Sequence, residues 1–463
     1  MSMFLRTDFK EWANYKQKHE TANVLDVIIV DILGIMRGKR LVGEAIDDFF
    51  AKGIKGPRTM YLFDSVGHVC SNLSYAMKDG DPDVSIYGHL GSLTKNPVGK
   101  GAQIMAFMEE DNRDISCFDS RYMLQKMADI FSKRGLGIKV GIELEFYLLD
   151  KSKLTQRDNN KEIITASDAV VAYPRSNSID DINVMDDFFT SLSKISEERG
   201  IKIETLISET GPGQFELSLA PLNDVVRACD DLLFLKKAIK GLARNNNLVA
   251  CFMSKPMERE SGSGLHFHIS LYNKASGENI FSGKEMPKLC TPCSKEALFA
   301  IRGMLDLIDE SMAIFAPNAN SFRRFKKGSF APINKAWGAN NRTVAVRLPK
   351  ATNESARLEH RISGSDVNSY LCVAGILMAI DYGLKNKKLP PSHAMADAYG
   401  EKDYKQIPCY WPVALEKFKL SKVIPEYMGE EFHDTYHKNR EFECSSFHHE
   451  IGRKDFDWYL DNI

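Results

Sequence analysis

Four segments of this chain alternate apolar and polar residues with a period of two, a fifth adds two arginines, and together they leave few folds open. In GIELEF, residues 141–146, Glu143 and Glu145 share one face, and Ile142, Leu144 and Phe146 share the other. GQFELSL (213–219) repeats the pattern with Gln214, Glu216 and Ser218, and GLHFHIS (264–270) with His266, His268 and Ser270. NRTVAVRLP (341–349) contributes Arg342 and Arg347, and ARLEHRI (356–362) sets Arg357, Glu359 and Arg361 on one face. Side chains two apart on a strand point the same way, so the segments predict antiparallel strands with one packed and one polar face. A merely solvated face ordinarily carries Thr, Ser and Lys. Here Glu, His and Arg recur and Lys is absent from all five segments, which favours one shared site.

Paired in one sheet, these strands gather Glu143, Glu145, Glu216 and Glu359, with Glu209 just upstream in SETGPGQFE. Several carboxylates at close range do not all stay ionised without cations. Oxygen ligands with a single imidazole suit Mg²⁺ or Mn²⁺ better than Zn²⁺. Arginines beside divalent cations make a surface that grips phosphate and screens developing charge. The chain has no Walker A sequence and no dinucleotide fingerprint, so a nucleotide would have to use this sheet. The residues point to metal-assisted phosphoryl chemistry.

The 463 residues allow two domains or three. A break near residue 110 divides a small α+β unit, 1–112, from a larger one, 113–463. In the first, NVLDVIIVDILGIMRGKRL reads as a strand, a turn at Gly34 and a second strand, followed by a helix in GEAIDDFFAKG. TMYLFDS (59–65) and AQIMAFME (102–109) read as further strands. FDSRYMLQKMADIFSKRG then carries apolar positions at helical spacing and stops at Gly135. Lys plus Arg number 61 against 62 Asp plus Glu, which argues against nucleic-acid or acidic-membrane binding. Met1 to Lys18 is polar, and no run of about 18 apolar residues exists. With nine scattered cysteines, the expectation is a reduced, soluble, cytoplasmic protein. Cys290 and Cys293 form a lone CxxC, read as a loop.

Taken in order, GIELEF, SETGPGQFELSL, FMSKP, GSGLHFHISL, NSFRRF, APINKAWGANNRTVAVRLP and RLEHRISGSDVNSYL resemble the glutamine synthetase superfamily. The resemblance runs through most of the chain, GIMRGKR of the small domain included. It implies an α+β architecture: an N-terminal β-grasp domain and a catalytic domain whose curved antiparallel sheet is flanked by helices. It also implies stacked rings of subunits, a dodecamer, with active sites between ring neighbours. By position, Glu145, Glu209 and Glu216 match the ligands of one metal, and Glu143, His266 and Glu359 those of a second. His268 and Ser270 match positions near the nucleotide, and Arg347 a phosphate-contacting arginine. Gly264, Arg324 and Arg361 match positions that hold glutamate, and Arg342 an arginine at the transferring phosphoryl group. Asp64 matches an aspartate of the ammonium site that acts across the subunit boundary. The implied substrates are glutamate, ATP and an amine, with two or more Mg²⁺ or Mn²⁺ ions per site.

Departures from the pattern bear on the amine. Glutamine synthetases proper carry a flap glutamate six residues past the arginine matching Arg324; RFKKGSFAP puts Phe330 there. Phenylalanine neither holds ammonium by charge nor takes its proton, but it packs the body of a larger amine. YLFDSVGHV keeps Asp64 but has Ser65, Val66 and Gly67 after it, an altered ammonium-site segment. Ser263 replaces the usual Asn before Gly264, and KNKKLPPSHAMADAYG stands where an adenylylation segment would be. These features resemble the glutamate–amine ligase branch, γ-glutamylpolyamine synthetases among them. The alternatives are a glutamine synthetase with a divergent ammonium site and a catalytically silent homologue. The six retained metal-ligand positions argue against the silent homologue. His360, Arg357, Ser218, His448 and His449 are read as structural or surface residues.

Overall fold

The computed structural model describes residues 6–19, 22–71, 73, 80–154, 176–286, 289–400, 404–452, 455 and 460. The first five residues of the polar N-terminal stretch therefore lie outside the described residues.

The β-branched run VLDVIIV forms β1 (Val24–Val30), which turns back into β2 (Met36–Val42) as an antiparallel hairpin. Asp31 closes the turn: its Oδ1 accepts the N–H groups of Leu33 and Ile35 at 2.9 and 2.8 Å. Gly34 sits there at φ +81°, where a Cβ would stand 2.9 Å from Asn368 Cα, so only glycine fits. Strands β3 (Ile54–Pro57), β4 (Asp83–Gly88), β5 (Thr94–Lys95) and β6 (Ala102–Glu109) complete a sheet of order β2-β1-β6-β4-β3, with β5 beside β6. The central β1–β6 pair is parallel. With helix α2 (Glu44–Lys52) connecting the hairpin to β3, this is the expected β-grasp arrangement.

TMYLFDS is not a strand. Arg58–Tyr61 form a 3-10 turn instead. Backbone carbonyls here are satisfied by tertiary partners rather than by a ladder: Tyr61 O accepts from Ile32 N–H, and Leu62 O from the Asn439 side chain.

The larger sheet has the order β14-β15-β16-β11-β7-β9-β8, with β10 (Leu248–Cys251) beside the end of β7. Its members are β7 (Leu136–Asp150), β8 (Ile203–Ser208), β9 (Gln214–Leu222), β11 (Leu265–Asn273), β14 (Trp337–Ala339), β15 (Val346–Leu348) and β16 (Leu358–His360). A two-residue hairpin, β12 (Glu285–Met286) and β13 (Thr291–Pro292), lies apart, so Cys290 and Cys293 flank a strand rather than sit in a plain loop. All pairings of the larger sheet are antiparallel except β14–β15. Register shifts at Val140/Ile142 and Ile203/Thr205 curl it, as bulges do.

The five segments thus supply five adjacent strands. Their apolar faces, among them Leu144, Phe146, Phe215, Leu217, Phe267 and Ile269, are buried. The longer helices that cover the fold are α1 (Phe9–Lys18), α2, α3 (Ser120–Ser132), α4 (Asp186–Arg199), α5 (Val225–Asn245), α6 (Lys295–Asp306), α7 (Ile308–Phe315), α8 (Ser369–Asn386), α9 (Trp411–Lys419) and α10 (Glu430–His449). One contiguous apolar cluster runs through both sheets, from Trp12 to Cys444. Helix α10 reaches back to the small unit: Asn439 Nδ2 donates to Leu62 O at 2.7 Å, and Glu443 accepts both Ser65 N–H and Ser65 Oγ. Among the described residues no helix is long and apolar enough to cross a membrane.

Candidate active site

Cross-strand register assembles the polar face. His266 stands opposite Glu143 and His268 opposite Glu359, while Glu145 faces Glu216 and Arg347 faces Glu359. Like charges placed directly opposite are destabilising on a sheet, so this row needs compensation. Some comes from within. Glu143 accepts from His268 Nε2 at 2.9 Å and lies 3.2 Å from His266 Nδ1. Glu359, fully buried, is clasped by Arg347 Nη1 at 2.7 Å and by Arg361 Nη1.

These contacts divide the carboxylates. Burial would raise Glu143, but the hydrogen bonds to His266 and His268 outweigh it and hold the group well below the usual range. Burial is likewise overcome at Glu359, which Arg361, His268, His266 and Arg347 hold down to about 2. Glu216 goes the other way: burial, then the charges of Glu143, Glu145 and Glu209, push it up to about 9. Glu209 is raised by burial and by Glu145. His266 Nε2 is buried without a partner among the described residues.

Two groups bring three ligand atoms within 4.8 Å of one another: Glu143, His268 and Glu359, and Glu143, Glu216 and His266. A carboxyl proton forced up by its neighbours and an orphaned buried imidazole nitrogen are what a missing cation would leave behind. The donor set fits a divalent metal. Glu145 and Glu209 are outside both tight groups. Glu145 Oε2 accepts Gly264 N–H at 2.8 Å and Gln214 Nε2 at 3.2 Å, and Glu209 lies just before β9, close enough to repel Glu145 and Glu216.

Gly264 leads into β11. A Cβ there would come within 2.7 Å of His266 Nε2, 2.8 Å of Arg324 Nη2 and 3.0 Å of Glu145 Oε1. The glycine therefore holds open a small space ringed by a base, a guanidinium and a carboxylate. Arg324, buried, spends only Nη1 on the carbonyls of Ile362 and Ser363, so Nη2 faces that space. Ser270 is half-buried further along β11. Arg342 lies in the exposed turn before β15, near enough for its charge to offset part of the rise at Glu209 and Glu216.

Phe330 is 59 % exposed and holds φ +58°, a left-handed conformation unusual for a bulky residue. Its flap is anchored by Ser329 Oγ donating to Arg324 O and by Tyr399 Oη donating to Ala331 O at 2.8 Å. Asp64 is elsewhere in the chain: its Oδ1 accepts the N–H groups of Val66 and His68 within its own turn. His360 is a buried residue against Phe315.

Sequence reasoning missed three contributors. Arg357, read as a surface residue, donates from Nε to His268 Nδ1 at 3.2 Å. Gln214 bridges Glu145 and Gly262 O; its parity with Glu216 was the available signal. Tyr399 stands too far past the flap in sequence for any local pattern to reveal it.

The family described as glutamine synthetase, catalytic domain, matches residues 118–459. The chain belongs to the glutamine synthetase family. As a glutamine synthetase family member it is an ATP-dependent, amide-forming ligase. Its similarity to gamma-glutamylputrescine synthetase of Escherichia coli is 32 % identity, covering 98 % of this chain and 95 % of the relative. The glutamate–isopropylamine ligase of a Pseudomonas species is 29 % identical over 94 % of each chain. A glutamine synthetase of Pyrococcus horikoshii is 27 % identical over 90 % of this chain and 89 % of its own. Among solved structures, GmaS in complex with ADP superposes with a TM-score of 0.83 at 22 % identity, covering 97 % of this chain and 99 % of that one, which shows the shared fold.

Proposed function

We propose that this protein joins the γ-carboxyl of glutamate to a primary amine larger than ammonium, with putrescine or another polyamine as the acceptor class. The observation that carries the reading is Phe330 at the flap, where glutamine synthetases proper place a glutamate. The names of two relatives, a gamma-glutamylputrescine synthetase and a glutamate–isopropylamine ligase, support it.

Glutamate sits over Gly264, with Arg324 Nη2 and Arg361 meeting its carboxylates. Its γ-carboxylate oxygen attacks the γ-phosphorus of ATP; the bond to the β,γ-bridging oxygen breaks and ADP leaves. Arg342 and Arg347 neutralise charge on the phosphoryl group in flight. The amine nitrogen then attacks the acyl carbon of γ-glutamyl phosphate, phosphate departs, and the nitrogen loses a proton. Glu145, Glu209, Glu216, Glu143, His266 and Glu359 would hold two Mg²⁺ or Mn²⁺ ions, which supply Lewis-acid screening of the phosphates. Asp64 reaches the amine from a ring neighbour in an assembly of stacked rings.

The test is a panel of amines assayed for glutamate-dependent ADP release. A primary alkylamine or diamine should exceed ammonium in kcat/KM; if ammonium is preferred to every amine, the protein is a divergent glutamine synthetase instead.

A further inference from the structure

A cavity of about 940 Å³ opens between β2 and helix α5. Its charge is one-sided. From the hairpin come Arg37, Lys39 and Arg40, and from α5 come Lys236, Lys237, Lys240 and Arg244; the carboxylates in its wall are Asp26 and Asp366. Arg40 and Lys237 share Asp26, at 2.6 and 3.7 Å, and Arg37 holds Asp31 at 2.9 Å. Lys39 donates to Lys55 O, and Lys236 to Ser365 O at 2.5 Å. Lys240 and Arg244 have neither an ion pair nor a side-chain hydrogen bond among the described residues.

Lys236, Lys240 and Arg244 recur every fourth residue, so they form one row along α5. Burial first and Lys240 second bring the Lys236 ammonium down to about 7, and Asp366 offsets only part of this. Beside the row the wall is apolar: Leu33, Leu149, Leu233 and Met253 line it, and the Phe252 ring lies 5.3 and 5.5 Å from the two ammonium groups. Lys240 and Arg244, without an ion pair among the described residues, stand in one row with Lys236 beside an apolar wall, an arrangement that suits an anion with an apolar body.

We propose that this cavity binds a small organic anion carrying at least two negative charges and a ring or apolar body, gripped by Lys236, Lys240 and Arg244. Phosphate esters and dicarboxylates share that chemistry. The cavity also touches the active site at one residue. Ser365 takes Lys236 on its carbonyl, while its hydroxyl donates toward Gly264 O and Glu145 O at 2.7 and 2.5 Å.

The experiment is calorimetric titration of the assembled enzyme, its nucleotide site saturated with ADP and Mg²⁺. AMP serves as the phosphate ester, phthalate as the dicarboxylate and benzoate as the singly charged control. AMP or phthalate should bind saturably, at least about tenfold tighter than benzoate and more weakly as salt rises. Lys240→Ala/Arg244→Ala should cost at least about tenfold in that affinity, as expected for lost charge-assisted contacts, with the melting temperature unchanged, since both residues are exposed. Which probe binds tells the two sources apart. Failure of both dianions to bind, binding indifferent to the double substitution, or a neighbouring subunit filling the cavity in the assembled enzyme would overturn it.

Discussion

Gly264 donates its backbone N–H to Glu145 Oε2 at 2.8 Å, so the residue that leaves a small space open between His266 and Arg324 also orients a carboxylate on its rim. Gly264→Ala would put a methyl group against His266, Arg324 and Glu145 at once. The expected outcome is a loss of activity of at least about 100-fold, the scale of misplaced reactants, with near-native stability. Steady-state ligation beside thermal unfolding checks it; a variant that keeps wild-type kcat/KM would place glutamate elsewhere.

Glu359 neutralises Arg347 and Arg361 in the core of the site. Glu359→Ala leaves two guanidinium groups facing each other and should cost about 3–5 kcal/mol, as for a broken buried pair. The gentler Glu359→Gln should fold yet lose ligation and the thermal protection that Mg²⁺ gives by binding the native state. Melting curves with Mg²⁺ and with chelator, for both proteins, decide the matter.

Phe330→Glu should raise the use of ammonium relative to an alkylamine, because general-base assistance contributes ~100- to 10,000-fold where it is well placed. The ratio of kcat/KM values for ammonium and butylamine, wild type against variant, is the readout. No change in the ratio would remove Phe330 from the amine pocket.

Asp64 is expected to act in a neighbouring subunit. Asp64→Ala and Glu359→Gln homo-oligomers should each be inactive, while mixed assemblies recover part of the activity from sites that draw both intact residues. Recovery absent after verified subunit exchange would confine each site to one chain.

Asp31 makes stability depend on pH. Burial pushes its carboxyl up to about 6, although Ile35 and Leu33 N–H and Arg37 favour the charge. A folded value above the unfolded ~3.9 means that its contribution is full below that value and lost as pH rises through about 6. Relative to Asp31→Asn, wild type should therefore lose about 2 kcal/mol between pH 4 and pH 7. Denaturant titrations at pH 4, 5.5 and 7 measure it, and a slope of opposite sign would show that the Arg37 pair dominates.

Four of the strands were legible because a period of two is local and each segment declares its two faces by itself, whereas NRTVAVRLP carries only the three-residue β15 and no alternation. Their spatial order was not: β16 and β11 are neighbours although some 85 residues separate them, so which histidine meets which glutamate depends on long-range register. That is why the bond from His268 to Glu143 was not foreseen, and why Arg357 passed for a surface residue. TMYLFDS misled for a related reason, since its backbone answers to α10 and to the Gly34 turn rather than to a strand partner. The backbone of Phe330 left no trace in the residue types around it.

Helix α10 holds the turn that carries Asp64 through Asn439 and Glu443, which joins the last long helix of the chain to one of its earliest turns. A nascent chain therefore lacks the α10 braces of that turn until nearly all of it has left the ribosome. Trimming the last helix would then register first at that turn, almost four hundred residues away in sequence from the cut.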